Sequence, residues 1–136
     1  MRWSQLKKRI EELFDPELSL SVFCTVQRGP SNSIGRIWFK CSKEVVWDEP
    51  RNVSKRVSAG ETNDDVSTMT SIMREYLALP REEIFTFNSP LDSWGLVEML
   101  KAADRRIGKR RLTDLKANTK GRAALQLIIR RLQSRQ

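Results

Sequence analysis

The chain has 136 residues, 39% apolar and 31% charged, with six glycines, five prolines and a formal net charge of +8. That length and balance suit one soluble domain able to bury about two-thirds of its unfolded surface, and exclude a disordered or fibrous chain. Histidine is absent, which excludes the commonest general base, Ser-His and Cys-His nucleophiles, and nearly all ordinary transition-metal catalysis.

Trp3, Leu6, Ile10, Leu13 and Phe14 fall on one helical face, with Ser4 placed to cap the helix and Asp15-Pro16 to stop it. This amphipathic start is not a signal peptide and no stretch is long and apolar enough to span a membrane, so a cytoplasmic protein is expected. From Ser19 to Gln27 the period changes to two, setting Leu20, Val22, Cys24 and Val26 on one side. The turn-rich RGPSNSIG at 28–35 leads into a second alternating run, Arg36 to Ser42, with Ile37, Phe39 and Cys41 on one face. A turn centred between Asn32 and Ser33 would set Cys24 opposite Cys41 and Val26 opposite Phe39, as two small buried thiols. A third strand is expected over Glu44 to Asp48, with Val45 and Trp47 alternating with Val46.

Residues 49–64 carry breakers and little periodicity, and are expected to be an exposed loop. Beyond it, Asp64 or Asp65 can cap a helix that turns Val66, Met69, Met73, Tyr76 and Leu77 inward and ends before Pro80. Ser89-Pro90 has the form of a helix start, and Leu91, Trp94, Val97, Leu100 and Ala103 give that helix an apolar face running up to Gly108 as its C-terminal cap. A short helix over KRRLTDLKA follows, then a last one starting at Asn118 or Thr119 with Leu125, Ile128, Ile129 and Leu132 as its stripe. The reading is α+β, an N-terminal helix on a small antiparallel meander followed by a helical half, in a single domain over 1–136 with sub-regions 1–48, 49–64 and 65–136.

Charge is distributed unevenly along the chain. Residues 1–100 carry 13 Lys and Arg against 15 acids, whereas residues 101–136 carry 12 against only Asp104 and Asp114. Such a lopsided chain implies a negatively charged partner, either nucleic acid or an acidic protein. At the centre of the basic region, DRRIGKRRL packs Arg105, Arg106, Lys109, Arg110 and Arg111 around Gly108. If Gly108 ends one helix, Arg105 and Arg106 sit in its last turn, where the dipole favours cations, and Lys109, Arg110 and Arg111 open the next, where it disfavours them. A bound phosphate reverses that sign, and with Lys116, Lys120 and Arg122 these residues form the candidate polyanion site. The competing reading is a solvated face in which Arg110 pairs with Asp114. Gly108-Lys109 is not a nucleotide-binding loop, because Ala103 stands where that motif needs glycine and Arg110 where it needs a hydroxyl.

Trp38, between Arg36 and Lys40, is the candidate exposed aromatic contact, whereas Trp3 and Trp94 fall on core-facing helical positions. Glu44, Asp48 and Glu49 near Lys40 or Lys43 only loosely suggest a magnesium-dependent nuclease, a third possibility behind a binding module and an accessory subunit. No catalytic residue, metal or cofactor is expected.

The opening MRWSQLKKRIEELF, the segment GRIWFKCSKE and the motif ADRRIGKRRL at 103–112 together resemble an uncharacterised family of short bacterial proteins. Its members share a tryptophan-containing basic N-terminal helix and an Asp-Arg-Arg-x-Gly-Lys-Arg-Arg-Leu motif. This chain departs from them in the middle, with Phe23-Cys24-Thr25 where relatives often carry a histidine. The resemblance implies a bacterial cytosolic protein and singles out the motif, without assigning it a catalytic role.

Overall fold

Residues 2–134 are described by a computed structural model of the protein. The first helix, α1, spans Trp3–Leu13 and buries Leu6 and Ile10. Its N-cap is Arg2, without a side-chain cap bond, so Ser4 lies inside the helix. Asp15 instead accepts from the Glu17 amide at the head of a single 3-10 turn over Pro16–Leu18. Strands β1 (Leu20–Arg28), β2 (Ser33–Cys41) and β3 (Glu44–Glu49) then form an antiparallel meander in the order β1-β2-β3.

The hairpin register differs from the expected one. Cys24 pairs with Ile37 and Cys41 with Leu20, while Phe39 faces Val22. The turn is centred between Pro30 and Ser31, because Asn32 is held elsewhere: its amide donates to the carbonyls of Val57 and Glu61 at 3.0 and 2.7 Å. A shift by an even number of residues keeps every side chain on its face, so both cysteines still pack half-buried against the core as free thiols.

The third strand breaks the expected alternation. A bulge pairs Trp47 with Phe39 but Val45 with Lys40, which leaves Val46 as the extra residue. Val46 and Trp47 both pack on the core, and Val45 is 48% exposed. The segment 49–64, expected as an exposed loop, contains a helix, α2 (Val53–Ser58). Its Val53 and Val57 enclose Ile34 in a small second core on the far side of the sheet, a two-valine pattern too short to register as periodicity.

Helix α3 (Asp65–Ala78) buries Met69, Ile72, Met73 and Tyr76. It crosses β2 at Gly35, where a Cβ would come within 2.5 Å of the Val66 side chain, so glycine permits the close approach. The next helix, α4, is shorter than expected, spanning Leu96–Ala103. The Asp92 carboxylate accepts from the amides of Trp94, Leu96 and Val97, setting the start there and leaving Leu91 outside and 67% exposed. At its other end the chain leaves the helix at Asp104, and Gly108 is the N-cap of α5 (Lys109–Asn118), not the C-cap of α4. The last helix, α6 (Arg122–Gln133), starts after Gly121, later than expected, and buries Ala124, Leu127, Ile128 and Arg131. Leu125, Ile129 and Leu132 of the expected stripe are only half-buried. One main core joins α1, the inner face of the sheet and α3 to α6.

Candidate polyanion-binding surface

The motif at 104–112 divides between interior and surface. Asp104 is fully buried, and its segment bridges to the end of α1, with Asp15 donating its amide to the Ala103 carbonyl and Arg105 its amide to the Leu13 carbonyl, both at 2.7 Å. The Asp104 carboxylate accepts from the Tyr76 hydroxyl at 2.6 Å, the Arg106 amide at 2.9 Å, and Arg106 Nε and Nη2 at 3.0 and 2.8 Å. A buried carboxylate is tolerated when paired and fully bonded in this way. The same contacts raise the pKa of Arg106 through its bond to Asp104, and that of Tyr76 through burial and then the Asp104 charge. Arg106 therefore belongs to the framework, and a phosphate would compete with Asp104 for it. Neither Arg105 nor Arg106 lies in a last helical turn as expected, because α4 has already ended.

Two further bases do structural work that sequence reasoning missed. Arg131 is 5% exposed. It donates to Asp15 at 2.9 Å and to the carbonyls of Ala102 and Ile107 at 3.0 and 2.7 Å, tying α6 to both ends of the α4–α5 junction. Its one sequence signal is its place on the apolar stripe, three residues past Ile128 and four past Leu127. Lys101 donates to the Phe85 carbonyl at 2.9 Å, and burial lowers its pKa. The start of α6 is capped from a distance: Glu98 accepts from the amides of Lys120 and Gly121 at 2.8 and 3.0 Å.

The remaining bases face solvent. Arg105, Arg110, Lys116, Lys120 and Arg122 are exposed. Among the described residues none of them is in an ion pair, and the expected Arg110–Asp114 pair does not form. Lys109, Arg110 and Arg111 open α5 as expected, but do not converge. Lys109 donates to the Ser134 carbonyl at the end of α6, and the Arg111 guanidinium lies over the Phe85 ring at 4.9 Å. All three are exposed, and of them Arg110 alone has no hydrogen-bond, ion-pair or ring partner among the described residues. Arg122 opens onto a groove beside α6, apart from the α5 cations.

Trp38 stacks on Phe23 with ring centroids 5.5 Å apart on the outer sheet face. Arg36 covers Trp38 at 4.3 Å and Lys7 covers Phe23 at 4.2 Å, so the aromatic pair is half-buried and already carries cations from its own chain. Of the carboxylates near the third strand, Asp48 takes a two-bond contact from Arg36 at 3.1 and 2.6 Å, and Glu49 pairs with Arg51 at 3.4 Å. Among the described residues no three metal-ligating side chains converge.

A groove of about 1550 Å³ lies between β3 and α6. Val45, Trp47, Trp94 and Ile129 contribute its apolar surface, and the Trp47 indole donates to the Trp94 carbonyl at 3.3 Å. No sequence motif announces it, because its two walls are more than seventy residues apart in the chain.

These features define a small α+β protein with a basic surface over its C-terminal helices and no helix among the described residues long and apolar enough to cross a membrane. The family model of the SF0329 protein family matches residues 2–64 and 51–132, and the chain belongs to that family. No curated protein and no solved structure matches it.

Proposed function

We propose that the protein is a non-enzymatic module of the bacterial cytosol that holds a polyanion, nucleic-acid backbone above all, on the exposed cations of its C-terminal helical region. The observation that supports this reading is the sorting of the bases. Arg106 and Arg131 are paired with buried or half-buried carboxylates, whereas Arg105, Arg110, Lys116 and Lys120 stand in solvent without a counter-charge among the described residues. Uncompensated like charge on one region favours a polyanionic partner and disfavours the isolated fold. Cations of this kind reach phosphates and read little sequence.

Retention on random-sequence duplex DNA, measured against salt, tests the reading. Changing Arg105, Arg110, Lys116 and Lys120 to Gln should weaken binding and lower the salt slope by about 0.9 for each phosphate no longer neutralised. Retention and slope equal to those of the unaltered protein would overturn it. Magnesium-dependent strand cleavage by the purified chain would overturn its non-enzymatic part.

A further inference from the structure

The two edges of the sheet are treated differently. At β1, Val22 is closed off by α1: Glu11 accepts the Val22 amide at 2.9 Å, and Lys7 donates to the Val22 carbonyl at 2.7 Å and to Glu11 at 2.6 Å. An unpaired strand edge is a template for another chain, and blocking it with charged side chains is a familiar protection. At β3 there is no such closure. Among the described residues no side chain and no backbone group of another element bonds to the outer edge of this strand. Its whole length instead lines the groove, with α6 as the opposite wall. From this asymmetry we infer that the β3 edge receives an extended, acidic peptide segment of a partner protein as a fourth strand, running between β3 and α6.

The groove's charge selects that occupant. Arg36 and Arg51 are neutralised by Asp48 and Glu49, leaving Lys55, Arg122 and Arg130 against Glu44 alone. The unpaired charge is therefore positive and concentrated on the α6 wall. A peptide in strand conformation shows alternate side chains to opposite faces. Backbone bonds to β3 would hold it whatever its sequence, apolar side chains would meet Trp47 and Trp94, and acidic ones would meet Arg122 and Arg130. A second copy of this chain is a poorer match, since its own β3 offers only Glu44 to those cations, Asp48 and Glu49 being already paired. This inference is independent of the polyanion reading, whose other cations lie on α5 and the turns that flank it.

The experiment uses the full chain with a short synthetic peptide alternating glutamate and valine, and its lysine-valine counterpart. Hydrogen exchange resolved by residue reports where the peptide binds. The expected result is saturable binding of the acidic peptide, slowed exchange at outward amides of β3, and no change on α5. Cys41 lines the groove and Cys24 does not, so the peptide should slow alkylation of Cys41 and leave Cys24 as it was. Changing Arg122 and Arg130 to Glu should weaken the acidic peptide at least about tenfold, and the lysine peptide should then bind. Both positions are exposed, so the variant should melt as the unaltered chain does. The inference is overturned if neither peptide binds, if protection falls on α5, if β3 is protected by self-association at rising protein concentration, or if a duplex or single-stranded oligonucleotide occupies the groove instead.

Discussion

Two arginines of one motif, four residues apart, should behave in opposite ways. In Arg106→Gln the two guanidinium bonds to Asp104 disappear, and a fully buried carboxylate keeps only the Tyr76 hydroxyl and one backbone amide. Breaking a buried ion pair from one side costs about 3 to 5 kcal/mol, much of it the uncompensated charge left behind. The Arg106 side chain is itself 23% exposed, so water can partly take its place and the lower end applies, about 3 kcal/mol. For a chain of this size, at about 4 °C per kcal/mol, the melting temperature should fall by about 12 °C. Arg110→Gln removes a side chain without an ion-pair partner among the described residues and should change stability by no more than about 0.5 kcal/mol, while lowering the salt slope on duplex DNA by the share of one phosphate. Thermal melts followed by circular dichroism, with salt-dependent retention on the same preparations, measure both quantities. An Arg106→Gln variant that melts like the unaltered protein, or an Arg110→Gln variant that loses as much stability as Arg106→Gln, would contradict these assignments.

Three further outcomes follow from the same structure. Arg131→Met should cost about 3 to 5 kcal/mol in urea unfolding, since it strands Asp15 and the carbonyls of Ala102 and Ile107; a loss below about 1 kcal/mol would mean that Arg131 is not the tie between α6 and the α4–α5 junction. Glu98→Ala uncaps α6 and should cost about 1 kcal/mol, with faster amide exchange at Lys120 and Gly121; unchanged exchange there would contradict the remote cap. Burial raises the pKa of Cys24 and Cys41, so above the ordinary thiol range the unfolded chain has released protons that the folded chain retains. Their contribution to stability is complete below that range and declines as pH rises through the raised folded values. The Cys24→Ala, Cys41→Ala double variant should therefore show a shallower alkaline loss of stability, and an identical pH profile would refute this.

Periodicity made much of the architecture legible. Alternation at Leu20, Val22 and Cys24 and helical spacing at Leu6, Ile10 and Phe14 are local properties, and each determines a face whatever its distant partner. The α+β order, the meander and the start of α5 at Lys109 follow from them. Element ends were less legible, since the Asp92 carboxylate and the Glu98 cap act across turns that no period describes. The register of the hairpin and the helix over Val53–Ser58 depend on each other, through the Asn32 bonds to Val57 and Glu61.

Composition and periodicity were enough for the fold class, the concentration of bases after residue 100 and the lack of histidine. Which partner each base meets came from packing. Arg106, Arg110 and Arg131 are the same side chain in similarly basic surroundings. One clamps a buried aspartate, one stands in water, and one reaches a carboxylate 116 residues away. The physical reason is that an ionic group's role is set by its solvent exposure and by the partner within a few ångströms. Both are products of long-range packing, as is the groove between β3 and α6, whose two walls are distant segments of the chain.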